Sequence, residues 1–433
     1  MLLIKGGRVI DPASGRDEIG HLVLEDGKVR EFLTGEAPAR FQGKVISAEG
    51  KWVVPGLIDM HVHLRDPGYE WKEDILTGTR AAAAGGFTSV VCMANTKPVN
   101  DSPEVTRHII EKARREGCAN VFPVAAVTRG LEGKEMADFS ELADAGAVAF
   151  SDDGKPVENP LLFRRAMEYI RPFGYRILSH AEDTVLAGGG AAHEGWTARK
   201  LGIPGIPSAA EEVAIARDIL IARQVGGKLH IQHISTRMGV DLLRMARRAG
   251  LDVTGETAPQ YFTLTDAALE GYDTNAKMNP PLRGEDDRMA ILEGIQDGTI
   301  DAIACDHAPH ESYVKKCEFA AAANGIIGLQ TSLPLSLSLL AGGKVAPARL
   351  VDLLSAGPAR ILGLRGKGTL VAGADADVTI IDPEAEWEFG PGDVLSKSKN
   401  SPFLGWKMRG RAAATICGGR VRHATIAGVT PDA

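Results

Sequence analysis

Eight short apolar runs, each followed by an amphipathic segment, recur between Val53 and Leu364 and restrict the fold more than any other feature of the sequence. The runs are Leu57–His63, Phe87–Ala94, Val121–Val127, Ala147–Ser151, Arg176–His180, Leu229–Ile234, Leu251–Gly255 and Asp301–Cys305. The amphipathic segments include Ile75–Ala84, Ser102–Glu116, Pro160–Ile170, Ser208–Gln224 and Gly239–Ala249. A strand buried on both faces reads as a continuous apolar run, and a helix covering it carries apolar residues at a 3.6-residue period. Eight such units predict an α/β fold of the (β/α)8 barrel type. A doubly wound sheet would share the alternation, but no Gly-x-Gly-x-x-Gly turn follows the first strand. The run Leu329–Leu340, interrupted by Pro334, is too short to span a bilayer and predicts a buried helix.

The two ends have a different texture. Leu2–Lys5, His21–Leu24 and Lys28–Phe32 read as strands, with Glu25-Asp26-Gly27 as a tight turn, and Ala376–Ile381, Ala412–Cys417 and Arg420–Arg422 repeat the pattern at the other end. Neither piece is long enough to bury a core alone. They are expected to pair as a small β-sandwich domain made of residues 1–54 and 365–433, flanking a barrel over 55–364. A chain of 433 residues suits one large and one small unit. With 44% hydrophobic and 24% charged residues it has the composition of a folded protein. A net charge of −7 with both signs interspersed argues against a nucleic-acid partner. The five cysteines are scattered without a Cys-x-x-Cys pair, which predicts reduced thiols in a cytoplasm. No signal-like leader and no long apolar span is visible, so no membrane association is expected.

Ligand-type residues collect at the strand ends. In Asp59-Met60-His61-Val62-His63-Leu64-Arg65 the two histidines are two apart, so on a strand both imidazoles face one side. Asp152 and Asp153 close the fourth run, His180 the fifth, His233 the sixth and Asp306 the eighth. Five of eight strand ends thus carry such residues at the barrel face where active sites are built, a placement chance does not explain. Imidazoles and carboxylates suit a borderline divalent ion, and four histidines with two carboxylates exceed the needs of one tetrahedral ion. Two ions sharing a bridging carboxylate are therefore expected. Periodicity does not decide between Asp152 and Asp153, because adjacent strand residues face oppositely.

Asp59-Met60-His61-Val62-His63-Leu64-Arg65-Asp66-Pro67-Gly68 resembles the first signature of dihydroorotases, and Ala304-Cys305-Asp306-His307-Ala308-Pro309-His310 with Lys315 resembles the second. The resemblance covers nearly the whole chain and is closest to the bacterial type I branch. It implies that His61, His63, Asp153 and Asp306 hold one zinc ion and that Asp153, His180 and His233 hold another. Many relatives bridge with a carbamylated lysine; Lys155 lies two residues beyond that position, so an aspartate bridge is implied here. Asp306 is implied as the general acid/base, passing a proton from a metal-activated water to the leaving amide nitrogen. His63, Arg65, Asn95 and His310 are implied to bind the substrate, the last three through the carboxylate of N-carbamoyl-L-aspartate or L-dihydroorotate. Asn279 and the backbone at Asn324-Gly325 are implied to contact the ring. Cys305 stands where the family usually has Ser or Thr, a change expected to touch packing rather than chemistry. A homodimer, and association with aspartate transcarbamoylase, are further implications of the resemblance.

Several residues are read as structural. His230, three residues before His233, is expected to pack against a helix, and His307 to be structural beside Asp306. His21, His108, His193 and His423 are expected at the surface, and Cys305 and Cys317 as buried inert thiols. Residues 311–320, with Lys315 and Lys316, read either as a lid or as a solvated loop. Two other functions fit the barrel: a hydantoinase or allantoinase, which would not need Arg65, and a silent scaffold for aspartate transcarbamoylase, which would not need the ligand set.

Overall fold

All eight apolar runs form parallel strands in the computed structural model, which describes residues 1–38 and 40–432. The strands are Leu57–Val62, Phe87–Cys92, Asn120–Ala125, Ala149–Phe150, Arg176–Ser179, Lys228–Ile231, Val253–Thr257 and Ala302–Ile303, side by side in chain order. The ring closes just beyond the eighth strand, where His307 bridges Val62 and the His63 N–H donates to the His307 carbonyl at 2.8 Å. Val91, Met93, Val124, Leu178 and Ala302 fill the interior. Helices Ile75–Ala84, Pro103–Glu116, Pro160–Ile170, Ala209–Val225 and Arg237–Arg248 cover the outside. Side-chain caps fix several of their starts: Asp74 accepts from Thr77 N at 2.7 Å, and Thr236 accepts from Gly239 N at 3.0 Å. The Leu/Ser-rich run is a buried helix, Ser332–Leu337, continued by a tighter turn. Pro334 falls in its first turn, where a missing N–H breaks no hydrogen bond.

The terminal segments build one continuously hydrogen-bonded sheet of eight strands. Strand Leu2–Asp11 is its pivot. Leu2–Lys5 pair with Lys44–Ser47, and beyond an irregularity between Ile4 and Gly7, Arg8–Val9 pair with Trp52–Val53. Strand Val378–Glu388 joins Trp52–Pro55 to strand Lys407–Cys417, so chain ends far apart in sequence share one apolar core of Leu22, Ile46, Val53, Val378 and Ile416. These strands run further than the alternation suggested, because bulges at Ile380/Ile381 and Asp382/Glu386 interrupt the two-residue period.

Two histidines differ from expectation. His21 is buried: its Nδ1 accepts from Gly6 N at 2.9 Å, a donor that the bulge at left-handed Gly6 (φ 73°) takes out of the ladder. His230 points into the barrel interior, in register with the interior Leu178. Counting from His233 misassigned its face because the strand ends at Ile231 and His233 adopts φ 35°. His108 is exposed as expected, and His193 and His423 are half-buried.

Phe150, fully buried with its ring 4.8 Å from that of Phe139, is part of the contact between the fourth strand and the helix Phe139–Ala145 that precedes it. Phe150→Ala is expected to cost about 3–5 kcal/mol in urea unfolding. Leu161→Ala, on the exposed side of a helix, should stay within about 0.5 kcal/mol. Equal midpoints for the two variants would contradict this packing.

Candidate active site

The strand-end residues converge at the C-terminal mouth of the barrel. Asp153 is central. Its Oδ1 lies 3.3 Å from His61 Nε2, 3.4 Å from His180 Nδ1 and 3.8 Å from His233 Nε2, and its Oδ2 lies 3.4 Å from His63 Nε2. Asp306 Oδ1 is 3.1 Å from His63 Nε2 and 3.5 Å from His61 Nε2. His180 Nδ1 and His233 Nε2 are 2.8 Å apart. Two overlapping groups, His61/Asp153/His233 and His61/His63/Asp306, bring their ligand atoms within 4.8 Å of one another. His61 thus lies near His233 as well as beside His63, closer to both sets than the resemblance implies.

Asp152 is turned away. Its carboxylate accepts from Val127 N at 2.7 Å and Thr128 N at 3.0 Å and pairs with the Thr128 hydroxyl, tying the end of the third strand to the fourth. Burial pushes it up to about 6, against those hydrogen bonds. The alternative that periodicity left open is resolved in geometry: Asp153 faces the histidines.

Imidazoles and carboxylates this close set one another's charge. Burial alone would lower the His61 imidazole, but Asp153 and Asp306 raise it well above the usual range. His180 is likewise penalised by burial yet raised to about 10 by Asp153 and Glu182. Burial would raise the Asp153 carboxyl, and His61 with its neighbours holds it well below the usual range. A field that favours positive charge among imidazoles also favours a divalent cation. His61 Nε2 is buried without a hydrogen-bond partner and points at both carboxylates, which fits a ligand atom. The donor set of imidazole nitrogen and carboxylate oxygen suits zinc or a similar ion.

Second partners orient the imidazoles. His61 Nδ1 donates to Glu256 Oε1 at 2.9 Å, and Glu256 Oε2 lies 3.3 Å from His230 Nε2. His63 Nδ1 donates to Asn95 Oδ1 at 2.9 Å, and His180 Nε2 lies 3.6 Å from Glu182. Asp59, buried and pushed up to about 7 by desolvation, accepts from the backbone N–H of both His61 and Cys305 and so links the first and eighth strand ends. Sequence reasoning missed Asp59, Glu182 and Glu256. The available signal was an acid inside or two residues past an apolar run; Glu256 escaped because the seventh run was ended at Gly255.

Above this floor lies a cavity of about 220 Å³ lined by His63, Arg65, Asn95, Asn279, His310, Asn324 and Gly325, with Asp153, His180, His233 and Asp306 at its base. Arg65 does not continue the strand face, as its spacing had suggested. The strand ends at Val62 and Arg65 adopts φ 61°, which turns its guanidinium onto the Pro309 carbonyl (3.3 Å) and beside His310 Nε2 (3.4 Å). Burial, then Arg65, Lys72 and Lys315, push His310 down to about 3, so its ring is neutral. Asn279 donates to Glu182 at 3.1 Å. A Cβ on Gly325 (φ 125°) would meet Ala308 Cβ at 2.6 Å, so that backbone comes close only as glycine. His307 is structural, its Nε2 3.3 Å from Glu73 and its Nδ1 accepting from Gly328 N. Cys305 is buried, whereas Cys317 is exposed because Lys315, not the thiol, turns inward in its loop.

The fold and the site define a (β/α)8-barrel amidohydrolase. A family pattern described as Dihydro-orotase-like matches residues 50–239. The chain is 54% identical to the dihydroorotase of Geobacter metallireducens over 97% of its length and 99% of that protein's, and 55% identical to that of Geotalea daltonii over 98% and 99%. It belongs to the dihydroorotase family. Among solved structures it is similar to the L-hydantoinase of Arthrobacter aurescens, with TM-score 0.89 and 26% identity over 99% of this chain and 97% of that one. It shares the fold of dihydropyrimidinase from Brevibacillus agri, with TM-score 0.83 and 22% identity over 97% and 94%. No helix is long and apolar enough to cross a membrane among the described residues.

Metal analysis after desalting distinguishes the two adjacent acids. Asp153→Ala is expected to lose most bound metal, whereas Asp152→Ala should keep it and lower the melting temperature instead. Equal metal content in the two variants would contradict the central place of Asp153.

Proposed function

We propose that the chain interconverts N-carbamoyl-L-aspartate and L-dihydroorotate, a step of pyrimidine synthesis, with zinc as its metal. One observation carries the choice of substrate: a guanidinium, Arg65, stands beside a neutral imidazole, His310, on the rim of a cavity whose floor is the imidazole and carboxylate cluster. Arg65 makes no ion pair within 4 Å among the described residues; its two polar contacts are a carbonyl and that imidazole. A planar cation held this way suits a substrate carboxylate.

In this reading His61, His63 and Asp306 would hold one ion and His180 and His233 a second, with Asp153 available to both. A bound divalent ion would bring the pKa of an attacking water to about 7 and polarise the scissile carbonyl. Arg65, His310 and the free amide group of Asn95 bind the substrate carboxylate, and Asn279 with the backbone of Asn324 and Gly325 holds the ring. Asp306, at the edge of the cavity and within reach of the reacting atoms, accepts the proton of the attacking water and delivers it to the ring nitrogen as the amide bond breaks. In ring closure the same carboxylate takes a proton from the carbamoyl nitrogen as it attacks the carboxyl carbon, and returns it to the departing oxygen.

The structural likeness to L-hydantoinase makes a neutral cyclic amide the second reading. Hydrolysis assays on the isolated, zinc-loaded chain separate the two. Activity on L-dihydroorotate but not on hydantoin is expected, with Arg65→Ala raising KM for dihydroorotate by about 100-fold, the loss of a charge-assisted bidentate contact. Asp306→Asn should lower kcat by about 100-fold or more while keeping most of the metal. Preference for hydantoin, or indifference to Arg65→Ala, would overturn the assignment. Activity that appears only when aspartate transcarbamoylase is added would make the chain a partner-dependent subunit.

A further inference from the structure

Among the described residues, two lysines are buried, Lys277 and Lys315, and they lie side by side behind the cavity. Neither has a carboxylate within ion-pair distance; their ammonium groups donate to backbone carbonyls instead. Lys315 Nζ donates to Lys277 O at 3.1 Å, Ala323 O at 2.8 Å and Gly325 O at 3.1 Å. Lys277 Nζ donates to Ala320 O at 2.8 Å and Ala322 O at 2.7 Å. An ammonium has three donors, so Lys315 is fully satisfied, yet burying a cation without a counter-charge is costly and a neutral side chain would serve a plain loop anchor better.

The carbonyls that Lys315 grips show what the charge does. Lys277 is two residues before Asn279, Ala323 precedes Asn324, and Gly325 lines the cavity itself. The two segments are already joined by Gly325 N donating to Lys277 O at 3.0 Å, and Lys315 closes that junction from behind. From the other side Asn400 Nδ2 donates to Ala308 O and Gly325 O, each at 3.0 Å, while its Oδ1 accepts from His310 N at 3.0 Å. Lys315 and Asn400 thus hold the Gly325 carbonyl between them. We propose that Lys315 is a positioning residue for the substrate: its ammonium fixes the backbone that presents Asn279, Asn324 and Gly325, and places a positive charge behind the subsite that takes the ring of an anionic substrate. The inference rests on the dihydroorotase reading of that subsite. It gives residues 311–320 a definite part: the helical turn Ser312–Lys315 roots the loop from inside, while Tyr313 stays exposed.

Steady-state kinetics on L-dihydroorotate, with zinc content and melting temperature measured in parallel, test the proposal. Lys315→Met is expected to raise KM about tenfold while kcat changes less than about threefold and metal content stays at the wild-type level. Lys277→Met, which frees carbonyls that no subsite residue carries, should lower the melting temperature with a KM change of less than about threefold. Lys315→Gln keeps two N–H donors without the charge, serves where the Met variant fails to fold, and should show an intermediate rise in KM. A wild-type KM in Lys315→Met or Lys315→Gln overturns the inference, as does a KM rise that is equal in Lys277→Met and tracks only the loss of stability. Asn279→Ala reports separately on the subsite: if its KM is unchanged, the substrate reading falls, whatever the lysine variants do.

Discussion

A buried carboxylate facing four imidazoles is the constraint to which the rest of the structure answers. Asp153 has given up its water, and burial of a carboxylate is tolerable only where opposite charge or donors surround it. His61, His63, His180 and His233 supply that surround, and they come from the first, fifth and sixth strands. The first and fifth strands do not place their imidazoles unaided. Glu256 and Asn95 hold the far nitrogens of His61 and His63, Glu182 stands beside His180, and Asp59 anchors the backbone at His61 and Cys305 together. The barrel interior beneath the site is therefore partly polar: Glu256 touches His61 on one side and His230 on the other, and its carboxyl is held down to about 2 by those imidazoles against the pull of burial.

Backbone strain is concentrated in the same place. His233 and Asp306 at the floor and Arg65 at the rim adopt left-handed φ values that cost non-glycine residues about 1–3 kcal/mol each. Each follows a strand end, where the chain leaves the ladder and must turn sharply to aim its side chain into the mouth. The surrounding hydrogen bonds hold these turns. Ring closure between Val62 and His307 sets the approach of Arg65 and Asp306, and the Pro309 carbonyl receives the Arg65 guanidinium.

Much of this was legible in the residues. The eight strands announced themselves because parallel barrel strands are apolar on both faces, and the ligand set because His61, His63, His180, His233 and Asp306 interrupt those runs at one end. What was hidden depends on places where the two-residue period fails. Alternation could not choose between Asp152 and Asp153, which lie beyond the last paired residue, Phe150. It put His230 on the wrong face because the left-handed turn at His233 broke the count, and it gave Arg65 a strand position it does not occupy. The bulges of the terminal sheet concealed half of its longest strands. Asp59, Glu182 and Glu256 gave little signal, since an isolated acid in an apolar run has no pattern to match; only the fold shows that they lie against imidazoles.

We propose that Asp153 would join two ions rather than flank one. Loading the metal-stripped protein with cobalt(II) and recording its electron paramagnetic resonance spectrum, with cobalt counted per chain, tests it most directly. Two ions per chain, with the high-spin signal of the isolated ion strongly reduced by coupling through the shared carboxylate, is the predicted result. One ion per chain at saturation, or two ions giving the full signal of independent centres, would contradict the account.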